Sequence, residues 1–217
     1  STNGVKLHEM AAELKSAGLD RVNMSADSLR PDRIRAIARR SLTFSPIVAA
    51  TAAERAGLGP MKINTVVMRG INDDELEDFA RLTLEHPWHV RFIELMPVGE
   101  MAESTFDRVV PSDEILARLS SIAPLVPDAG PARGNGPSAY YRFAGAPGSL
   151  GVIPPMSHPY CGDCHRVRPT GHGRLPPAPS RRQEGNFPHA PPPRQHLPRL
   201  SPPPPPTAPP PAATPPR

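Results

Sequence analysis

The apolar positions of the first hundred residues switch between two periods. Leu7, Met10, Ala11, Leu14 and Ala17 recur at three- and four-residue steps, which predicts an amphipathic helix, and Gly18 stands where a helix end calls for a left-handed residue. A short strand is expected over 19–25. Pro31 then opens a second helix through Ile34, Ile37 and Ala38, and Ser45-Pro46 reads as the N-cap and first position of a third that runs to Gly57. Residues 62–68, KINTVVM, read as a buried strand. Asn72-Asp73-Asp74-Glu75 brings acids to the start of a helix through Leu76, Phe79 and Leu82, and 89–96, HVRFIELM, reads as a further strand. Strands alternating with helices of this length predict a parallel sheet of βα units, with functional side chains at the carboxyl ends of the strands.

Beyond Met96 the regularity weakens. A helix within 110–122 starts at Pro111-Ser112-Asp113-Glu114, residues 124–137 read as a loop, and 139–143 and 149–153 as short strands of a smaller cap. From Leu175 the chain changes in kind: 18 of its 33 prolines fall in the last 43 residues, among few large apolar side chains. Such a segment cannot bury enough surface to offset the entropy of ordering, and a disordered or polyproline II tail is expected. The tail's five arginines and one glutamate account for the whole net charge of +4, since residues 1–174 carry 20 basic and 20 acidic side chains. The basic balance therefore does not mark a nucleic-acid face on the folded part.

The length of 217 residues suits one domain or one and a half. No run approaches the roughly 20 apolar residues of a spanning helix, so no membrane partner is expected. The opening at Ser1, with neither methionine nor a basic-then-apolar leader, reads as a start inside a longer protein. Two cysteines in one CxxC argue for a metal or redox role in a reducing compartment, taken as the cytoplasm.

That CxxC is the sharpest chemical signal: Cys161-Gly-Asp-Cys164, followed by His165, Arg166 and Arg168. Two thiolates at this spacing suit one soft metal centre, and the guanidiniums suit a phosphate beside it. Zinc, redox and iron–sulfur chemistry all use the spacing. A non-enzymatic module, with His165 or His172 completing a zinc site and the proline tail recruiting partners, is the alternative reading. Elsewhere single residues say less. Lys62 and Arg91 suit solvated or salt-bridged strand positions, Asn3-Gly4 a turn, Ser25, Asp27 and Ser28 an N-cap cluster before Pro31, and Met96 core filler.

Taken together, the strings STNG (1–4), AGLDRVNMSADSL (17–29), MKINTVVMRGINDDEL (61–76), VRFIELMPVG (90–99) and YCGDCHRVRPTGHGRL (160–175) resemble, in order, the GTP 3′,8-cyclase family of molybdenum-cofactor biosynthesis. These are radical S-adenosylmethionine lyases. The resemblance implies an α/β fold, the C-terminal part of an incomplete (β/α) TIM-like barrel over 1–100, with a cap carrying the second-cluster CxxC over 101–175 and the tail over 176–217. It implies 4Fe-4S clusters, two in the family, with S-adenosylmethionine and GTP as small-molecule partners. A downstream molybdopterin-pathway enzyme and a homodimer are the expected protein partners. GTP-binding positions fall on Ser1, Lys62, Arg91, Arg166 and Arg168, S-adenosylmethionine contacts on Ser25 and Met96, and two cluster ligands on Cys161 and Cys164. A deoxyadenosyl radical would take the 3′ hydrogen of GTP, and the resulting C3′ radical would attack C8 of guanine to give 3′,8-cyclo-GTP.

The departures are equally specific. The family's third cluster cysteine falls on Ala178, and its CxxxCxxC for the radical-generating cluster belongs to a segment before STNG, so this chain alone is expected to be inactive. Pro176-Pro177-Ala178 is what a one-base loss would make of a family-like Arg-Pro-Cys, so residues 176–217 are read as an out-of-frame translation, with a proline-rich interaction tail as the alternative. Ala178→Cys is expected to raise the iron held per protein after anaerobic reconstitution. Equal iron in the two chains would show that Ala178 is not the vacated ligand position.

Overall fold

In KINTVV, Ile63, Thr65 and Val67 are buried while Lys62, Asn64 and Val66 between them are half-buried. The computed structural model, which describes residues 1–39, 44–97, 105–128 and 138–158, makes this strand β2 (Lys62–Val67). The expected buried strand is thus buried on one face only. Its other face lines a polar concavity, and the alternation is the period-2 signature of a strand with two different sides.

The remaining elements follow the expected order. The helix α1 (Leu7–Ser16) precedes β1 (Asn23–Ser25), shorter than the run from residue 19; α2 (Pro31–Ala38) and α3 (Pro46–Arg55) lead to β2, and α4 (Leu76–Glu85) to β3 (His89–Glu94). After them come α5 (Ser112–Ser120), β4 (Leu125–Pro127), β5 (Ala139–Phe143) and β6 (Ser149–Ile153). Local chemistry sets the boundaries. Gly18 has φ of +91° while its N–H bonds the Lys15 carbonyl, and the Leu19 N–H reaches back to Leu14, closing the end of α1. Ser45 caps α3 by accepting from the Val48 N–H, and Pro46 supplies its first turn.

The six strands form one sheet in the order β1-β2-β3-β6-β5-β4, parallel from β1 to β6 and antiparallel through β5 and β4. Two expectations change. The strands at 139–143 and 149–153 extend the same sheet, because β6 pairs in parallel with β3. A strand also forms inside the expected loop, at 125–127, where an edge position tolerates Pro127. On the convex side Leu7 and Ala11 of α1, Ala49, Ala50 and Ala53 of α3, Phe79 of α4 and Ile115 and Leu119 of α5 join Met24, Ile63, Val90, Phe92 and Leu150 in one core. Each large side chain buried there contributes about 1.5–3 kcal/mol. No helix among the described residues is long and apolar enough to cross a membrane.

A buried carboxylate ties the loops above β1 and β2. Glu75, with no exposed surface, accepts from Ser28 Oγ at 2.7 Å, from the Leu29 N–H at 2.7 Å and from Arg33 at 2.5 Å. Removing it leaves the buried Ser28 hydroxyl and the Leu29 N–H without this acceptor and reduces Arg33 to its pair with Asp74. Glu75→Ala is expected to cost about 3–5 kcal/mol in urea unfolding, whereas Glu114→Ala, which breaks an exposed pair with Arg69, should cost under about 1 kcal/mol.

Candidate functional site

The parallel register sorts the concave face into rows. Asn23, Lys62, His89 and Ser149 lie level across four strands, and two residues further along come Ser25, Asn64, Arg91 and Gly151. Ser25, Lys62 and Arg91, singled out from sequence, therefore share one face. Thr2 joins the edge of this sheet opposite Met24, donating to the Asn23 carbonyl at 2.9 Å and accepting from the Ser25 N–H at 2.9 Å, which brings exposed Ser1 to the edge of β1. Met96 lies past the carboxyl end of β3 and is 39% exposed, so it is not core filler. Cys161, Cys164, Arg166 and Arg168 lie outside the described residues, as do His165, His172, Ala178 and the whole proline-rich tail.

Of the candidates, Ser25 ends β1 and Met96 lies past β3, at the carboxyl ends of their strands, while the cations lie further back. Lys62 is the first residue of β2 and Arg91 the third of β3. Arg91 has no carboxylate partner among its described hydrogen bonds; its Nε donates to Asn64 Oδ1 at 2.7 Å. It crosses over β6 at Gly151, where a Cβ would come within 2.9 Å of Arg91 Cγ and 2.5 Å of Ser138 Oγ. Burial, followed by the charges of Arg91 and Arg21, holds the Lys62 ammonium below the ordinary lysine range. The cationic face thus favours an anionic, polar ligand.

The rim is locked by side chains that sequence reasoning passed over. Asp27 and Ser28 do not cap α2, whose N-cap is Arg30. Asp27 Oδ1 instead accepts from the Val66 N–H at 2.9 Å, and burial, only partly offset by that bond, raises its carboxyl above the ordinary range. Asn72 donates to the carbonyls of Asp27 (2.6 Å) and Val66 (2.8 Å) and accepts from the Met68 N–H at 2.7 Å. At the end of β3, Glu94 is 1% exposed and accepts from the N–H groups of Ser112 (2.6 Å), Met156 (2.8 Å) and Ser157 (2.9 Å), and from the Ser157 hydroxyl. The signal for Asn64 and His89 was in the strings KINTVV and HVRFIE, where Asn64 lies two residues after Lys62 and His89 two before Arg91.

A cavity of about 370 Å³ runs along α1, lined by Leu7, Met10, Leu14, Leu19 and Val22 on one side and by Ser1, Thr2, Asn3, Lys6 and Arg21 on the other. Among the described residues no group of three or more His, Cys, Asp or Glu is placed to hold a metal ion. The described face fits organic anions, and Cys161 and Cys164, the residues that would hold a cluster, lie outside the described residues.

A parallel sheet backed by helices, with a polar concave face, suits the radical S-adenosylmethionine class, and the model of the Radical SAM superfamily matches residues 1–83. The Molybdenum Cofactor Synthesis C model matches residues 88–183. The chain belongs to the GTP 3′,8-cyclase family of radical S-adenosylmethionine enzymes. It is 46% identical over 184 residues to the GTP 3′,8-cyclase of Heliobacterium modesticaldum, covering 85% of this chain and 56% of that protein. The GTP 3′,8-cyclases of Moorella thermoacetica (49% over 177 residues, 82% and 54%) and Geobacter sulfurreducens (49% over 175 residues, 80% and 52%) are similarly close. The chain spans about half the length of the curated relatives it matches. The zinc-module alternative accounts for none of these matches. Membership of the superfamily implies a 4Fe-4S cluster and S-adenosylmethionine.

Glu94 yields a pH prediction. Burial alone would raise its carboxyl, but the bonds from Ser157, Met156 and Ser112 prevail and hold it below the ordinary range. A depressed carboxylate adds stability that is present above the unfolded-state value, near 4.5, and is lost as pH falls through the folded value. Wild-type protein should therefore lose stability below about pH 4.5 more steeply than Glu94→Gln, measured as urea midpoints across pH 3–7. Parallel profiles would contradict the assignment.

Proposed function

We propose that this chain is the nucleotide-handling part of a GTP 3′,8-cyclase that converts GTP to 3′,8-cyclo-GTP in molybdenum-cofactor biosynthesis. The observation that carries this reading is the placement of Lys62 and Arg91 on one concave strand face, Arg91 level with Asn64 and Ser25 and Lys62 one row before them, in a chain of this family. Two cations held there are matched to a polyphosphate, and Arg166 and Arg168 supply two more in the same reading. Ser1 contributes a hydroxyl at the edge of β1. Ser25 and Met96, on the strand ends, hold S-adenosylmethionine.

In this reading Cys161 and Cys164 would be two ligands of the second of two 4Fe-4S clusters, and the first, radical-generating cluster would supply the electron that cleaves S-adenosylmethionine. The work of the described residues is orientation. Asn64 fixes the Arg91 guanidinium, and the Asp27 and Asn72 clamp keeps β1 and β2 level, so that Ser25 and Lys62 keep a constant separation. Holding the ribose while its 3′ hydrogen leaves and C3′ bonds to C8 is the positional part of catalysis. The division near residue 100 between barrel and cap is then one of function, because β6 of the second part pairs with β3 of the first.

Binding tests the assignments separately. In isothermal titration Lys62→Ala and Arg91→Ala are each expected to weaken GTP about tenfold or more, the loss of one charge-assisted contact, and to leave S-adenosylmethionine nearly unchanged. Ser25→Ala and Met96→Ala should do the reverse. Unchanged GTP affinity in both cation variants would overturn the reading.

A further inference from the structure

The floor of the concave face holds an imidazole with half its hydrogen bonding unmet. His89 is nine-tenths buried, and its Nδ1 lies 2.5 Å from Ser149 Oγ, a neighbour in the same row of the sheet. Its Nε2 is also buried and has no hydrogen-bond partner among the described residues. A buried polar nitrogen without a partner is destabilising, so most folds supply a partner or replace the residue. Here Lys62 stands level with His89 on β2, Arg91 follows two residues on, and Ser138 Oγ, beside Gly151 and Arg91, is a second buried polar atom without a partner.

We propose that His89 is a third anion-binding group of this site, whose Nε2 donates to the same phosphate oxygens that Lys62 and Arg91 neutralise. The inference deepens the reading of a GTP-binding face and rests on it. The tautomer is consistent: with Nδ1 accepting from the Ser149 hydroxyl, Nε2 carries the proton and is a donor. The groups facing the ring explain why it waits for an anion. Tyr140 of β5 meets it edge-on, with ring centroids 6.4 Å apart. Burial and the charges of Lys62, Arg91 and Arg142 hold His89 below the ordinary histidine range, with Asp128 opposing them. A phosphate on Lys62 and Arg91 reverses that field. Where His89 then takes up a proton, its hydrogen bond gains a charge and affinity rises as pH falls.

The test measures binding of GTP and of inorganic tripolyphosphate to the protein and to His89→Ala, His89→Gln and Lys62→Ala, from pH 6 to 8. Thermal midpoints serve to confirm folding. His89→Ala is expected to weaken both ligands about tenfold. His89→Gln, which keeps a donor and cannot charge, should recover part of the affinity and bind with a shallower pH dependence than wild type. If His89→Ala fails to fold, His89→Gln still decides through its pH slope and the proton uptake read from titrations in two buffers. An unchanged slope and unchanged uptake in His89→Gln, with Lys62→Ala still weakening GTP, would overturn the role of His89 alone. Loss of the Lys62 effect as well would overturn the GTP-binding face beneath it.

Discussion

The six-residue parallel pairing of β2 with β3 sets Lys62 beside His89 and Asn64 beside Arg91, and every functional statement about the concave face rests on that register. Side chains alternate along a strand, so a slip of one residue would turn Lys62 and Asn64 into the apolar core and bring Ile63 and Thr65 to the concave side. The core forbids the slip. Ile63, Val67, Val90 and Phe92 are each at most 1% exposed beneath the helices, and the cost of exposing them exceeds that of any polar arrangement above.

Two kinds of buried polar group divide the face between them. At the rim, Asn72, Glu75 and Glu94 have several partners each, among them backbone N–H groups of loops that leave the strands. A carboxylate satisfied in this way fixes loop geometry as firmly as a short stretch of sheet. On the floor, His89 Nε2 and Ser138 Oγ have no partners among the described residues, and Lys62 is held below its ordinary range by burial and neighbouring cations. Rim and floor are thus opposites in hydrogen bonding. Such a contrast is expected where a fold spends stability on a site.

Much of this was legible from sequence, for identifiable reasons. The helices announced themselves through Ser45-Pro46, Pro31 and Gly18, whose effects are local. The parallel sheet followed from the alternation of elements, and the assignment of Ser25, Lys62, Arg91 and Met96 to one site rests on the resemblance and not on any residue alone. What was not legible is long-range. Nothing local to Asp27 or Ser28 reveals that their partners are Val66 and Glu75, some 40 residues on, so the short-range N-cap account stood in their place. The strand at 125–127 was hidden by Pro124 and Pro127, and the pairing of β6 with β3 by the long stretch of chain between Glu94 and Ser149.

The electrostatics of the floor explain why the face is built as it is. Burial and the charges of Arg91 and Arg21 disfavour the charged form of Lys62, and burial with the cations Lys62, Arg91 and Arg142 does the same to His89. A base whose charged form is disfavoured in the fold lowers stability wherever it is charged in the unfolded chain, so both residues work against folding at lower pH. An anion on the face reverses the sign of each term at once. On the proposed reading, the free energy withheld from folding would become differential affinity for an anion, and it would depend on placement, not on number: the first 174 residues are balanced at 20 basic and 20 acidic side chains. Whole-chain charge is therefore uninformative about the ligand, while the row that holds Lys62 and His89, two residues before Arg91, carries the information.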